Sequence, residues 1–336
     1  MTTTTTTTTA ETPVRVRAAV GWGDLLWLTW RQHRWVIGGT ALVVAGTAAV
    51  MALVRWMALT GRIEQPLPLV VVTNGMQLVA MSAVVPWLLG MLFAAFWGAP
   101  LLSREYEQRT HLVAWSQDLT AARWLVGKLV LLGAAAAGLA AALGAVTGWM
   151  ITGVNSAVDP DEGFGRSSPL VFDTAPALQV VYALFGFALG VALSALIRRT
   201  MPAVALASIG FLVVRVLVGG VWRLYYQAPL RHIQPISGSS SSYWAEVNRD
   251  AMYVQSGHLD AAGNVVEYPT DCVVRFDTEE EYDRCLTDRG IVEYFTDYQP
   301  AERMTTFQFI ECLIFLVMVV GLLVLAYFRV RRSQRV

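Results

Sequence analysis

QLVAMSAVVPWLLGMLFAAFW (residues 77–97) is followed in this chain by LSREYEQRTHLVAWSQDLTAARWLVGK (102–128) and then by LVLLGAAAAGLAAALGAVTGWMI (129–151). The first and third stretches are long and apolar enough to cross a bilayer, which takes about 20 residues of helix. The charged middle stretch, here called the insert, therefore lies at one membrane face. It is too short for a separate domain. Its charges followed by apolar residues indicate either a docking element for a partner protein or a solvated loop whose charges anchor the two spans.

The composition of the whole chain is that of a membrane protein. Of its 336 residues, 55% are hydrophobic and only 15% are charged, whereas charged residues make up about a quarter of a typical soluble domain. Basic residues cluster only beside apolar runs, so the sequence gives no support for nucleic-acid binding.

Six apolar segments predict six transmembrane helices, because a backbone in lipid must satisfy its own hydrogen bonds. Pro86 lies inside the second and is expected to kink it. The predicted fold class is thus all-α integral membrane, with six transmembrane helices, an N-terminal interfacial helix and a small extracytoplasmic α+β insertion between spans five and six. The six segments are Trp35–Leu59, Gln77–Trp97, Leu125–Ile151, Ala177–Ile197, Pro202–Trp222 and Thr305–Phe328.

The distribution of arginine predicts the orientation. Fourteen basic residues flank one face of the predicted bundle, and three lie in the short loops of the other face. The positive-inside rule then places both termini and the insert in the cytoplasm of a multi-pass cell-membrane protein. The predicted regions are a disordered cytoplasmic N-terminus (1–21), an interfacial helix (22–34), spans one to five (35–222) with a cytoplasmic coupling loop (102–124), an extracytoplasmic domain (223–303), span six (304–328) and a cytoplasmic tail (329–336).

Residues 22–34, WGDLLWLTWRQHR, combine leucine and tryptophan with arginine. This pattern favours a helix lying in the membrane interface. The alternative is a simple extension of the first span.

The extracytoplasmic domain contains Cys272 and Cys285. An oxidising exterior would let them form a disulfide, which we expect, although two free thiols are the alternative. His232 and His258 lie in the same domain, but their spacing to the cysteines matches no known zinc-ligand pattern, so we expect no metal site. Around Ala262, Gly263 and Asn264 the sequence suggests a small hairpin.

Two ionisable residues lie within predicted spans. Arg215 in span five and Glu311 in span six are both about seven residues from the same predicted membrane face. A lone charge at that depth is costly, so an ion pair between them is expected. It could lock two helices together or line a substrate path.

Known catalytic patterns are missing from the sequence. It has no G-x-x-x-x-G-K-[ST] phosphate loop, no H-E-x-x-H and no G-x-S-x-G. We therefore expect no catalytic site and no bound cofactor in this chain.

Within the insert, Arg104-Glu105-Tyr106-Glu107-Gln108-Arg109-Thr110 is followed by Arg123 and Lys128. This order resembles the R-E-x-E-x-G-T pattern, with a later Arg and Lys, of the membrane permease subunit of ATP-binding-cassette (ABC) transporters of the type-2 exporter class. Arg109 departs from the glycine frequent there, and Gln117-Asp118 stands where proline is usual. The resemblance implies that Arg104, Glu105, Glu107, Arg109 and Thr110 form a coupling helix for a separate ATPase.

The function implied by the resemblance is that of an ABC exporter permease. The partner ATPase would bind ATP and Mg²⁺, and the permease would form a homodimer or heterodimer in membrane lipid. Few polar groups lie in the spans, which suits a hydrophobic or amphipathic substrate. The alternative is a non-transport membrane sensor or immunity protein that binds a ligand with its extracytoplasmic domain.

Overall fold

The computed structural model describes residues 21–64, 74–108, 120–159, 163–236, 250–267, 269–272 and 279–333. Within these residues, six helices have the length and apolar composition needed to cross a membrane, and a small antiparallel sheet lies between the fifth and the sixth. This confirms the predicted fold class. The six helices are span 1 (Trp22–Leu59), span 2 (Gly75–Glu107), span 3 (Ala121–Asn155), span 4 (Pro176–Ile197), span 5 (Thr200–Tyr225) and span 6 (Met304–Ser333).

Span 1 corrects one expectation about the N-terminal region. Residues 22–34, expected to form a separate interfacial helix, are continuous with the first span in a single helix, Trp22–Leu59. No proline interrupts this sequence, so nothing ends the helix before it enters the apolar run. At 1.5 Å per residue it is about 57 Å long, roughly twice the hydrocarbon thickness, so its first third extends beyond the apolar layer. The segment 1–20, expected to be disordered, lies outside the described residues.

Span 2 has the break that Pro86 predicts. Its first part, Gly75–Ser82, ends at Ala83, and the helix resumes as Val84–Leu92. The proline ring collides with the carbonyl four residues before it, which places the interruption at Ser82. A π-helical turn, Phe93–Gly98, and a last segment, Ala99–Glu107, complete the span. The start of the predicted coupling loop is therefore the end of a membrane helix.

Span 4 is the centre of the bundle, and glycine lets span 2 approach it closely. A Cβ atom added to Gly186 would overlap the carbonyl oxygen of Gly90, and one added to Gly190 would overlap that of Ala94. Small residues at a four-residue spacing allow such backbone contacts between membrane helices. This glycine face therefore serves packing within the chain.

A four-stranded antiparallel sheet stands at the end of the bundle opposite the insert, here called the sheet side. Its strands are β1 (Leu230–Pro235), β2 (Met252–Asp260), β3 (Val265–Val266) and β4 (Ile291–Gln299), in the order β1-β4-β2-β3 within the described residues. Strands β2 and β3 form the predicted hairpin, which turns at Gly263 with φ of +80°. A helix, Glu279–Asp288, packs beside β4.

The disulfide closes the small core of this sheet. Cys272 and Cys285 are bonded to each other, and they pack with Ile236, Leu286 and Ile291. One boundary differs from the sequence interpretation, which began the extracytoplasmic domain at residue 223. The helix of span 5 continues through Tyr225, so Arg223 belongs to the bundle.

The close approach of spans 2 and 4 can be tested by adding one methyl group. We expect Gly186→Ala to lower the melting temperature of the purified protein and the yield of monodisperse protein, because the backbones of Gly186 and Gly90 must separate. Gly148→Ala is the matched control, since a Cβ there meets no atom within 4 Å and alanine favours helix. An unchanged melting temperature for Gly186→Ala would contradict the close packing.

Candidate functional site

The insert side of the bundle brings the end of span 2 against the starts of spans 3 and 5. Glu105 forms a salt bridge with Lys128, whose side chain is only 3% exposed. The Lys128 ammonium also lies 4.2 Å from the centre of the Trp124 ring. A buried ammonium needs such a charged partner, so this contact joins span 2 to span 3.

Glu107 caps the first turn of span 5. Its Oε1 accepts the backbone N–H of Thr200 at 2.8 Å, and its Oε2 accepts the Thr200 hydroxyl at 2.7 Å. The Ser103 hydroxyl also donates to Thr200 Oγ1 at 3.2 Å. A carboxylate at a helix N-terminus satisfies free N–H groups and interacts favourably with the helix dipole. Span 5 has no cap from its own flanking residue Arg199, so span 2 supplies it.

These contacts bear on the predicted coupling residues. Arg104 has an exposed side chain at the end of span 2, as a contact for a partner requires. Glu105 and Glu107 also bind residues of their own chain, which the sequence interpretation did not anticipate. Arg109 and Thr110 lie outside the described residues.

On the sheet side, the described residues place two carboxylates and two guanidinium groups together inside the bundle. The expected partners Arg215 and Glu311 lie 3.3 Å apart, measured from Nη1 to Oε1. Asp173 and Arg223 join them. We call these four residues the charge cluster, and each of their side chains is at most 9% exposed.

Arg223 is bound to both acids. Its Nε lies 2.9 Å from Glu311 Oε2, and its Nη2 lies 2.9 Å from Glu311 Oε1 and 2.5 Å from Asp173 Oδ1. Arg215 completes the ring, with Nη2 at 3.1 Å from Asp173 Oδ2. Each guanidinium thus bridges both carboxylates, and the four charges sum to zero. Charge-assisted bonds of this kind are among the strongest hydrogen bonds in proteins.

Aromatic and polar neighbours surround the charge cluster. The Tyr182 hydroxyl donates to Glu311 Oε1 at 2.6 Å. The Arg215 guanidinium lies 3.7 Å from the centre of the Tyr182 ring, and that of Arg223 lies 4.0 Å from the Phe172 ring. Phe172 ends a short helix, Pro169–Phe172, that leads into Asp173 and span 4. The cluster therefore connects span 4, span 5, span 6 and this short helix.

A π-helical turn explains how two arginines of span 5 point to the same place. Arg215 and Arg223 are eight residues apart, whereas two turns of α-helix take about 7.2 residues. The turn Leu217–Trp222 lies between them, and a π-turn absorbs one extra residue. With that extra residue absorbed, Arg215 and Arg223 are two helical turns apart and lie on the same side of span 5.

Sequence reasoning missed Asp173 and Arg223. The sequence interpretation placed both residues in loops, where charged residues are common and do not indicate a buried ion pair. The sequence did offer one signal, the arginines on either side of Gly219 and Gly220, which are Arg215 and Arg223. Two buried arginines need two carboxylates, so a second acid beside Glu311 was to be expected. Its chemistry is electrostatic: both carboxylates are bound to arginines, and the described neighbours include no nucleophile paired with a base.

The sheet has its own ion pair, at strands β1 and β4. Arg231 donates from Nε and Nη2 to the two oxygens of Asp297, at 2.7 and 2.8 Å, and Gln255 Nε2 donates to Asp297 Oδ2 at 2.8 Å. Hydrogen bonds from Arg231 hold the pKa of Asp297 below its ordinary value. Burial lowers the pKa of His258, whose ring packs against Tyr294.

Comparison with known proteins found a resemblance over part of the chain. Residues 69–223 match the family described as ABC-2 membrane transporter related. Over this segment the chain resembles an ABC-2 type permease. The matched residues extend from just before span 2 to the end of span 5 and include the insert, Asp173 and both arginines of the charge cluster. No curated protein and no solved structure matched the chain.

The family match confirms the resemblance drawn from the insert. Together with the six apolar helices, it supports a multi-pass, permease-like membrane component of an ABC transporter. The resemblance implies a partner ATPase, as in an ABC system, and favours a membrane subunit without catalysis of its own.

The charge cluster predicts strong coupling between its members. We expect Glu311→Gln alone to destabilise the protein by about 3–5 kcal/mol, because it leaves two buried arginines with one carboxylate. The double variant Arg215→Met/Glu311→Gln keeps the neutral pair of Asp173 and Arg223 and should recover part of that loss. Thermal unfolding of the purified protein measures both effects.

An exposed ion pair provides the control for this cycle. Arg166 and Asp250 lie 3.9 Å apart, with 69% of the Arg166 side chain exposed, so Arg166→Gln should change stability by less than about 1 kcal/mol. If the double variant were no more stable than Glu311→Gln, the two residues would not act as a pair.

Proposed function

We propose that this chain is the permease subunit of an ABC exporter and is driven by a separate ATPase that docks on the insert. The ATPase binds ATP and Mg²⁺, while this chain binds no cofactor and forms the path for a hydrophobic or amphipathic substrate. The single observation that carries the proposal is the insert: it lies in the segment that matches the ABC-2 family, and its acids are joined to the starts of spans 3 and 5.

The distribution of charge supports the orientation in this proposal. Basic residues concentrate at the insert side, at the start of span 1 and after span 6, and the positive-inside rule puts that side in the cytoplasm. The disulfide lies on the sheet side, and disulfides persist in oxidising compartments. Both observations support an orientation with the sheet outside the cell and the insert within reach of a cytoplasmic ATPase.

The contacts of the insert suggest how force from the ATPase reaches the membrane. A displacement of the end of span 2 acts on span 3 through Glu105 and on span 5 through Glu107. Span 5 carries two residues of the charge cluster near its other end. Movement at the insert is thereby passed along one helix to the side where an exported substrate leaves. Two permease chains, identical or different, would form the complete path.

Docking on the insert predicts a defect for Arg104. Arg104→Glu reverses the charge of an exposed side chain at the end of span 2, and we expect it to reduce co-purification with a co-expressed partner P-loop ATPase at least tenfold. Arg332→Glu is the control, because it reverses an exposed charge at the end of span 6. Membrane yield should be unchanged in both.

Two outcomes would contradict the docking assignment. One is an equal loss of ATPase from both variants, which would indicate a general dependence on positive charge. The other is a wild-type chain that binds no P-loop ATPase and a sheet domain that binds a ligand on its own, which would favour a membrane sensor or immunity protein.

The cap on span 5 predicts uncoupling without loss of binding. Glu107→Ala removes both hydrogen bonds to Thr200 and leaves the first turn of span 5 without its cap. We expect the ATPase still to co-purify, its stimulation by the permease to fall, and the amides at the start of span 5 to exchange hydrogen faster. Gln108→Ala, at the exposed neighbouring position, is the control. If Glu107→Ala released the ATPase as Arg104→Glu does, Glu107 would be a docking residue and not a link.

A further inference from the structure

Among the described residues, a cavity of about 760 Å³ lies between the first half of span 2 and the segment that leads into span 4. Its volume falls within the range of small-molecule sites, which is about 300–1,000 Å³. Val79, Ala80, Val84 and Trp87 form the wall on span 2, and Leu170 and Asp173 belong to the opposite wall. The break that Pro86 causes lies within the span 2 wall.

Most of the cavity wall is hydrocarbon or aromatic. Ala80, Val84 and Trp87 expose their side chains toward it from one helix face. A polar ligand would lose hydrogen bonds against such a wall, whereas a hydrocarbon chain packs against it without leaving a polar group unpaired. The wall therefore suits the tail of an amphiphile.

One end of the cavity is polar, and its polar side chains accept hydrogen bonds. The carboxylate of Asp173 is an acceptor only, and its oxygens have more acceptor sites than their single recorded contacts with Arg215 and Arg223 use. The hydroxyl of Thr174 donates its own hydrogen to the carbonyl of Leu170, which leaves its oxygen as an acceptor. A ligand head that donates hydrogen bonds therefore suits Asp173 and Thr174 at this end.

The charge cluster determines which net charge the head group of a ligand can carry at this end of the cavity. Asp173 is the cavity's link to a group of two carboxylates and two arginines that sums to zero. An ionic head placed against a balanced buried cluster would add a charge without a counter-ion, which is costly away from water. An uncharged head avoids this cost.

We propose that this cavity binds an amphiphile with one hydrocarbon chain and an uncharged, hydrogen-bond-donating head, such as a hydroxyl group. The site deepens the proposed function, because such a molecule would be the cargo of the permease. Asp173 belongs to both the cavity and the charge cluster, so an occupied site contacts one of the residues that hold span 5.

The experiment uses the full chain, without an ATPase, in lipid nanodiscs. The probe is a photoactivatable diazirine analogue of 1-dodecanol, and mass spectrometry locates the labelled peptides. We expect label on the peptides that contain Val79–Trp87 and Leu170, with competition by 1-dodecanol at least tenfold stronger than by dodecylammonium or dodecyl sulfate.

Two blocking variants and one control, all substitutions to tryptophan, test whether labelling depends on the cavity. Ala80→Trp fills the cavity from its span 2 wall and should reduce labelling at least fivefold, and Val84→Trp provides a second blocking variant if Ala80→Trp folds poorly. Ala49→Trp is the matched control, because Ala49 is an exposed alanine of span 1 outside the cavity. It should label like the unmodified chain.

Two results would overturn the proposal and indicate an ordinary lipid-facing groove. One is equal labelling of the blocked and control variants. The other is equal competition by dodecanol, dodecylammonium and dodecyl sulfate. The assay contains no ATPase, so its result is independent of docking on the insert. If the chain bound the probe but no ATPase, the proposed binding site would be supported and the proposed permease function would be contradicted.

Discussion

The charge cluster is the constraint on which the rest of the bundle depends. Four ionic side chains buried in an apolar environment are tolerated only when each has its counter-ions within hydrogen-bonding distance, because an unpaired buried charge costs several kcal/mol. Each guanidinium here bridges both carboxylates, so no member can move alone. Spans 4, 5 and 6 and the short helix before span 4 are thereby fixed relative to one another. A hydrophobic interface of the same area would fix them less, since apolar side chains can slide in lipid without losing a specific partner.

Span 5 gains its importance from being held at both ends. Glu107 of span 2 caps its first turn, and its two arginines enter the charge cluster about 15 and 23 residues later, roughly 20–35 Å along the helix. The π-turn between these arginines lets both reach the acids, at the expense of regular α-helical hydrogen bonds. The middle of the span exposes apolar residues and contributes few polar contacts. A helix held by charged contacts at both ends, with few polar contacts between them, is well suited to pass a displacement from one end to the other.

The sequence predicted those features whose signal is local. Six apolar runs, the break at Pro86 and the hairpin at Gly263 follow from residue types within a few positions. Arg215 and Glu311 were noticed because charges are conspicuous inside apolar segments. Asp173 and Arg223 escaped notice because they border loops, and only the π-turn, which shifts helical phase by one residue, brings Arg223 to the cluster. The cap of Thr200 by Glu107 joins residues 93 positions apart, and no pattern in a single sequence reveals such a contact. The sequence interpretation separated residues 22–34 from the first span because their composition differs from that of the apolar run. A change in composition does not show whether the helix is interrupted there.

Asp173 makes the cavity and the charge cluster one electrostatic unit. A hydrogen-bond donor that approaches this carboxylate from the cavity would share its negative charge with Arg215 and Arg223 and so weaken its attraction for both. Because the cluster is balanced, weakening one carboxylate shifts both arginines toward Glu311, which already accepts from Tyr182 of span 4. Under the proposed function, cargo would therefore loosen the connection of span 5 to the short helix while strengthening its connection to span 6. An ionic head would disturb the same balance by a full charge and at far greater cost. Under the proposal, the neutrality of the cluster would therefore favour the uncharged head, and Asp173 would be the cluster residue that contacts it.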